Sequence, residues 1–259
     1  MLVDFINAMA AKGRSSFSYK DIEKQINLSS MAIKAALRRL QKKGDIVMPC
    51  RGFYVIVPPE YRALGSLPAE QFIPDLMNYL GQIYYVGLLS AAEYHGAAHQ
   101  RSQIFQVVVA KTRRPIRCGK IRVDFIFRKN AAKIATQNRN TPAGIIKIST
   151  PEATALDLIG YAKHCGGINN VATVLAELAE KIDSKRLVIA AKLSPIAWVQ
   201  RLGYLLDLTV KGNKAEDIAG YIKNKLSVRI RLIPSNSIKG AKMDVRWRVL
   251  INAKVEADI

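Results

Sequence analysis

Two consecutive stretches decide the fold near the N-terminus: SMAIKAALRRLQKKG (residues 30–44) and DIVMPCRGFYVIV (residues 45–57). The first has apolar residues at helical spacing and predicts a helix that Ser29 caps and Gly44 ends. The second predicts two short strands in a hairpin around Cys50-Arg51-Gly52. The apolar stripe of the helix consists of Ile33, Ala36, Leu37 and Leu40.

Two more helices are predicted upstream of this stretch. Residues 2–11 place apolar side chains at helical spacing, and the pair Ser18 and Asp21 fits a capping arrangement that opens a helix through about Ile26. Three helices followed by a hairpin, with a basic third helix, predict a winged helix-turn-helix over residues 1–58.

The third helix is basic on the face opposite its apolar stripe. A helix of this size can enter the major groove of DNA with its N-terminal side chains at the base edges. The residues expected to read bases are Ser30, Met31, Lys34, Ala35 and Arg38. The residues expected to hold phosphates are Arg39, Lys42 and, at the turn of the hairpin, Arg51. The alternative is a winged helix that docks on protein and whose basic face is only solvated.

The charge of the chain also indicates a polyanionic partner. The 259 residues carry a formal net charge of +20, with a pI near 10.0. The net charge is +6 in residues 1–58, −3 in 59–100, +11 in 101–147, zero in 148–210 and +6 in 211–259. The basic regions are therefore separate blocks rather than one tail.

A domain boundary is expected at Pro58-Pro59, where the first basic block ends. Residues 59–259 are predicted to fold on their own as an α+β domain with a small sheet and a helical subdomain. The acidic stretch after the boundary is not expected to extend a DNA footprint, because it repels phosphate. The predicted elements include a helix over 84–96, strands over 104–110, 121–127 and 144–148, and a helix opened by Thr150-Pro151.

Two late stretches, Val228–Leu232 and Val245–Val249, alternate apolar and basic residues and predict half-buried strands that pair. In register, these strands would present four arginines on one face. Like charges opposite each other cost stability, so this face suggests an anionic partner. The alternative is that the four splay into solvent and pair with carboxylates elsewhere. They are Arg229, Arg231, Arg246 and Arg248.

The sequence predicts no enzyme, cofactor or metal site. His95 and His99 lie four apart, but Gly96 interrupts the helix between them and no third ligand is evident. Asp124 invites a nuclease interpretation, yet it is the only acidic residue in 101–147, too few carboxylates for a magnesium site.

The cysteines and the hydropathy indicate a reduced, cytoplasmic protein with no membrane partner. Cys50, Cys118 and Cys165 are odd in number, and no two form a CxxC pair. No apolar run approaches the roughly 20 residues that span a bilayer.

Three motifs behind the winged helix resemble the AbiEi family of antitoxins. They are Tyr85-Val-Gly-Leu-Leu-Ser-Ala-Ala-Glu-Tyr-His-Gly96, Ser149-Thr-Pro-Glu-Ala-Thr-Ala-Leu-Asp157 and Val199-Gln-Arg-Leu-Gly-Tyr-Leu-Leu206. The resemblance spans nearly the whole chain in order. It departs at Ala153 and Ala155, where parts of the family have larger or basic residues.

The resemblance implies an antitoxin of a type IV toxin–antitoxin system, which aborts phage infection. The N-terminal domain would repress the shared promoter by binding inverted repeats in double-stranded DNA. The C-terminal domain would counter a nucleotidyltransferase-like toxin without a stable complex, and the four C-terminal arginines are the candidate antitoxin surface. Two alternatives stay open: a DNA-targeted protein with a nuclease fold, and a plain winged-helix transcription factor whose C-terminal domain senses a ligand.

Overall fold

The N-terminal residues form three helices and a three-stranded antiparallel sheet, the arrangement of a winged helix. In the computed structural model, which describes residues 2–97, 103–210, 213–225 and 228–257, the sheet has the strand order β1-β3-β2. The predicted helices and hairpin are confirmed, whereas β1 was not predicted. The elements are α1 (Leu2–Ala11), β1 (Ser16–Ser18), α2 (Tyr19–Gln25), α3 (Ser30–Lys43), β2 (Ile46–Cys50) and β3 (Phe53–Ile56).

Local side-chain caps set the limits of these helices. At the start of α2, the Ser18 hydroxyl accepts the Asp21 amide (3.3 Å) and an Asp21 carboxylate oxygen accepts the Ser18 amide (2.7 Å). The Ser29 hydroxyl caps α3 by accepting the Ala32 amide at 3.2 Å. Gly44 ends α3 in the left-handed conformation, with φ of 76°, which an L side chain rarely adopts.

Strand β3 is buried on both of its faces. Tyr54 and Ile56 face the core of the three helices, where the Tyr54 ring stacks on Phe17 at 5.4 Å between centroids. Phe53 and Val55 face a second apolar cluster. This cluster draws on the chain that follows: its other members are Leu67, Ala69, Phe72, Ile73, Leu76, Met77, Val107, Val109, Ile116, Cys118 and Val123.

A six-stranded mixed sheet follows, with the strand order β6-β7-β5-β4-β9-β8. Strand β5 pairs with β7 in parallel, and β6 pairs with β7 antiparallel. The elements of this region are α4 (Ala69–Tyr79), β4 (Tyr84–Val86), α5 (Leu88–Tyr94), β5 (Phe105–Val109), β6 (Ile116–Cys118), β7 (Ile121–Phe127), β8 (Thr136–Thr141) and β9 (Gly144–Ser149).

The sheet is larger than predicted. Strands β6 and β8 were missed because the first has three residues and the second is polar throughout. The single helix predicted over 84–96 is wrong, since its first residues are β4 and only Leu88–Tyr94 is helical. Tyr85 and Val86 are fully buried in the sheet, so their apolar run continues into the apolar side of α5 without a visible break.

Helices dominate the rest of the chain, and the predicted α+β class is confirmed. A small sheet of order β10-β12-β11 closes it. The elements are α6 (Pro151–Gly160), α7 (Ile168–Leu178), α8 (Ser184–Lys192), α9 (Ile196–Thr209), α10 (Glu216–Ile222), β10 (Ile230–Arg231), β11 (Lys242–Asp244) and β12 (Val249–Ile251). No helix in the described ranges combines the length and the apolarity that crossing a bilayer requires.

By packing, the chain divides into two compact units. The first comprises Met1–Tyr85, Gln103–Ala132 and Asn138–Lys147. The second comprises Val86–Ser102, Lys133–Gln137 and Ile148–Ile259. The domain boundary at Pro58-Pro59 stays a prediction. The first packing unit extends past it, because Phe53 and Val55 of β3 share an apolar cluster with residues of α4 and the sheet.

In the second unit, Trp247 is packed directly on α9. Its ring is fully buried, and its indole nitrogen donates to Asp207 Oδ2 at 2.7 Å. The Gln200 side chain donates to the Trp247 carbonyl at 2.8 Å. A Cβ added to Gly203 of α9 would lie 2.2 Å from the Trp247 ring, so only glycine allows this approach.

We therefore expect Gly203→Ala to destabilise the second unit by about 1–3 kcal/mol, because the buried Trp247 ring would have to shift. The matched control is Gly220→Ala on α10, where an added Cβ meets no atom within 4 Å. It should stabilise by roughly 0.5–1 kcal/mol, the helix preference of alanine over glycine. Urea titration followed by tryptophan fluorescence measures both, since Trp198 and Trp247 both lie in this unit. Equal stability of the two variants would contradict the packing described.

Candidate nucleic-acid interface

Helix α3 separates a buried stripe from an exposed basic face. Ile33, Leu37 and Leu40 are buried in the core of the winged helix. The five residues predicted to read bases are all exposed, and Met31 is exposed by 81%, a large fraction for an apolar side chain. These five are Ser30, Met31, Lys34, Ala35 and Arg38. The structure therefore brings them together on one helix face, free of the core.

The predicted phosphate ligands on α3 lie beside that face, toward α1. Arg39 and Lys42 are exposed, and with Lys43 they border a groove whose apolar lining includes Leu2 and Val3 of α1. The basic surface of α3 thus extends around the helix from the positions that are predicted to read bases.

The turn of the β2–β3 hairpin, hereafter the wing, is held in place from behind. The hydroxyl of Tyr79, on α4, donates to the Arg51 carbonyl at 3.3 Å, and its ring packs on Phe53 at 5.4 Å between centroids. Gly52 adopts a φ of 80°, and a Cβ there would lie 2.8 Å from the Tyr79 hydroxyl. The Arg51 side chain is exposed at the tip. Its backbone is thus fixed, and its guanidinium is free to meet a ligand.

A second basic segment lies next to the wing. Residues 111–115, hereafter the basic loop, join β5 to β6, and β6 lies beside β2. Arg113 Nη2 lies 3.9 Å from Cys50 Sγ, and the guanidinium stacks over the Phe125 ring at 5.5 Å. Lys111 and Arg114 are exposed. The acidic stretch 59–100 was not expected to extend a DNA footprint, and that stays a prediction. The sequence did not indicate that the fold also brings part of the basic block 101–147 beside the winged helix.

The basic loop was missed by sequence reasoning, although a signal was present. The stretch Lys111-Thr-Arg-Arg114 is the densest basic run between residues 101 and 123, which contain no acidic residue. Nothing in the sequence says which surface this run joins, since its contact with Cys50 spans 63 residues.

The four C-terminal arginines do not form the predicted face. Residues 245–248 are a turn rather than a strand, so the pairing that would align the arginines is absent among the described residues. Arg246 instead forms ion pairs with Glu216 (2.7 Å) and Asp207 (3.2 Å). Arg229 and Arg231 are exposed, and Arg248 is half-buried with a φ of 53°. The alternation of apolar and basic residues over 245–249 has another cause. Trp247 is buried and fixes the turn, while Arg246 pairs with the carboxylates of Glu216 and Asp207.

His95 and Asp124, the described side chains with possible catalytic chemistry, lie in packed parts of the fold. His95 is buried, and its Nε2 lies 2.9 Å from the Ser149 carbonyl oxygen; His99 lies outside the described residues. Asp124 stands opposite Gln106 in the β5–β7 ladder. Within the described part of the chain, no three His, Cys, Asp or Glu side chains are grouped to hold a metal ion. The absence of catalysis and of a metal stays a prediction.

The three cysteines are free and differ in their surroundings. Burial raises the pKa of the Cys118 thiol to about 11. Burial, with the Asp157 carboxylate nearby, raises the pKa of the Cys165 thiol to about 12. Cys50 on the wing is only half-buried. The wing therefore carries the one accessible thiol.

Comparison with known protein families gives two matches. Residues 4–57 match the family described as "Transcriptional regulator, AbiEi antitoxin". Residues 85–208 match the family described as "AbiEi antitoxin C-terminal domain". No curated protein sequence matches the chain.

A solved structure shares the fold. It is the crystal structure of the RV2827C protein from Mycobacterium tuberculosis, which aligns with a TM-score of 0.67 at 17% sequence identity. The alignment covers 95% of this chain and 89% of that one. At this identity the likeness establishes the architecture alone, and it extends over both units.

A thiol reagent should label the native protein once, at Cys50. At pH 8 the raised pKa values keep Cys118 and Cys165 protonated, and the thiolate is the reactive form. Intact-mass spectrometry counts the labels, and three should appear in denaturant. Cys50→Ser should abolish labelling of the native protein, whereas Cys118→Ser should leave it unchanged. Stoichiometric labelling of native Cys50→Ser would contradict the burial described.

Proposed function

The chain belongs to the AbiEi antitoxin family, with an N-terminal transcriptional-regulator domain and a C-terminal AbiEi domain, and on that premise we propose that it represses the promoter it shares with a toxin. Repression proceeds by binding inverted repeats in double-stranded DNA through α3 and the wing. The observation that carries the proposal is the exposed basic face of α3 within a winged helix.

Base reading is assigned to the N-terminal half of α3. Lys34 and Arg38 lie one turn apart on the exposed face, and both side-chain types donate to guanine O6 and N7 in the major groove. Met31 precedes them on the same face, and its exposed thioether chain suits apolar contact with a thymine methyl. Ser30 and Ala35 are small enough to let the helix approach the base edges closely.

Phosphate binding is assigned to the edges of this surface. Arg39 and Lys42 flank the reading face, and Arg51 extends from the tip of a wing whose backbone is fixed by Tyr79. Such contacts set the register of the helix in the groove and carry no sequence information themselves. They also make the affinity depend on salt, because each releases counterions from the DNA.

We infer that the antitoxin activity resides in the C-terminal domain and opposes a nucleotidyltransferase-like toxin in the manner of type IV systems, without a stable complex. Arg229 and Arg231 are the better candidates for its protective surface, because both side chains are exposed. Arg246 is the weaker candidate, since Glu216 and Asp207 already neutralise it. Arg248 lies between these cases, half-buried in the turn.

The chain is proposed to act without catalysis. Its family consists of antitoxins and transcriptional regulators. The nuclease alternative depends on Asp124, whose neighbour across the strand is the amide of Gln106 rather than a second carboxylate. A cytoplasmic location is part of the same proposal, since the promoter is there.

Replacing both Lys34 and Arg38 with Ala should abolish the preference for operator over scrambled DNA, since each base-edge contact contributes about 1–3 kcal/mol of discrimination. Arg51→Ala should weaken binding to both duplexes and reduce the slope of log K against log salt by about 0.9. Fluorescence anisotropy with both duplexes measures these effects. The control Lys185→Ala/Arg186→Ala removes the same two charges from the exposed side of α8 and should change neither. Unchanged preference in the α3 variant would remove α3 from the reading role.

The same α3 variant should still protect cells from the toxin. Lys34 and Arg38 lie outside both apolar clusters, so their loss leaves the rest of the chain folded. The growth assay uses the full-length chain, because a cut at residue 58 would remove β3 from the apolar cluster that it shares with α4. Growth is measured with toxin and variant expressed from a foreign promoter, beside a reporter for the native promoter. Loss of repression with retained growth is expected; loss of both would show that protection requires DNA binding.

A further inference from the structure

We propose that the basic loop continues the DNA-binding surface past the wing and contacts phosphates flanking each operator half-site. This inference deepens the proposed function and rests on it. It concerns Lys111, Arg113 and Arg114, which lie outside the winged helix and inside residues 85–208, the part that matches the AbiEi C-terminal domain; that match assigns no role to these side chains.

Arg113 fixes the loop against the wing. Its guanidinium is half-buried between two groups from different elements, the Cys50 thiol on β2 and the Phe125 ring on β7. Its Nε is buried and has no hydrogen-bond partner among the described residues. Because packing sets the position of this guanidinium, Arg113 holds the loop against β2 and β7. The loop on either side of it is consequently presented at a fixed place beside the wing.

Lys111 and Arg114 project from this fixed loop into solvent. Both are exposed, and neither forms an ion pair with a described residue. The nearest carboxylate in sequence, Asp124, alternates with the buried Val123 along β7 and so lies on the other face of that strand. Within the described residues, the two cations therefore have no carboxylate at ion-pair distance and are available to an anion from outside.

The chemistry of the surface favours duplex DNA as the anion. Arg113 touches Cys50, and the next residue is Arg51, so the loop lies close to a predicted phosphate ligand. Duplex DNA has a phosphate about every 3.4 Å along each strand, so a backbone that meets Arg51 passes the loop within a few nucleotides. The exposed residues of the loop are Lys111, Thr112, Arg114 and Pro115, with no large apolar side chain of the kind found at the centre of protein interfaces.

The test compares salt dependence on two duplexes with the full-length protein. One duplex ends at the operator repeats, and the other extends about one helical turn, roughly 10 base pairs, on each side. On the long duplex, Lys111→Gln/Arg114→Gln should lower the slope of log K against log salt by about 1.8 per bound protein, two phosphate contacts at about 0.9 each. On the short duplex, variant and wild type should have the same slope. The ratio of operator to scrambled affinity should not change.

The matched control is Arg117→Gln/Arg122→Gln. These arginines stand opposite each other on β6 and β7, both are exposed, and the variant removes the same two charges. Arg117 lies between Ile116 and Cys118, which are buried in the apolar cluster of Phe53 and Val55, so Arg117 projects from the opposite face of the sheet. The control should leave the slope on the long duplex unchanged.

Each outcome decides between the proposals. A normal slope for the loop variant, with a reduced slope for Arg51→Ala, would overturn the extended surface and leave the proposed function intact. An equal reduction in the loop variant and in the control would assign the effect to net charge and also overturn it. A wild-type protein that shows no preference for the operator would overturn the proposed function together with this inference.

Discussion

Strand β3 is the element on which the rest of the first unit depends, because its two faces complete two different cores. Tyr54 and Ile56 close the core of the three helices, while Phe53 and Val55 close the cluster formed with α4 and the edge of the six-stranded sheet. A strand buried on both faces must be apolar at every position, which explains the run Phe-Tyr-Val-Ile after Gly52. Helix α3 is thereby positioned by the sheet as well as by its own small core.

This shared strand also explains where the positive charge lies. Folding β6 beside β2 brings the basic loop to the wing, although the two are separated in sequence by the acidic stretch 59–100. The acidic residues of that stretch serve the structure in part: Asp75 on α4 accepts the Ser16 hydroxyl of β1 at 2.7 Å. The charge blocks of the sequence are therefore not the charge blocks of the surface.

The sequence predicts the winged helix well because its signals there are local. The stripe of α3, the Ser18–Asp21 box and the stop at Gly44 each lie within a few residues of the feature that they determine. It fails where distant contacts decide. Tyr84–Val86 is a strand because β5 and β9 flank it, and residues 245–248 are a turn because Trp247 is fixed on α9. For the candidate site, residue types and faces on α3 could be predicted. The place of residues 111–115 could not, since Arg113 meets its partners across β2 and β7.

The wing is fixed by the Tyr79 hydrogen bond and by the burial of β3 on both faces. This rigidity has a consequence for how two copies could bind inverted repeats. In many regulators a flexible linker joins the DNA-binding domain to the rest of the protein. The domain can then rotate and accept different spacer lengths between the two half-sites. Here β3 and β2 pack directly on α4 and β6, without a flexible linker between them. In the proposed complex, the symmetry axis between two bound copies would therefore fix the phase of the half-sites. One added base pair rotates one half-site relative to the other by about a tenth of a turn. Without a flexible linker, the winged helix would not follow that rotation. The proposed operator would then be bound with only a few spacer lengths between its repeats.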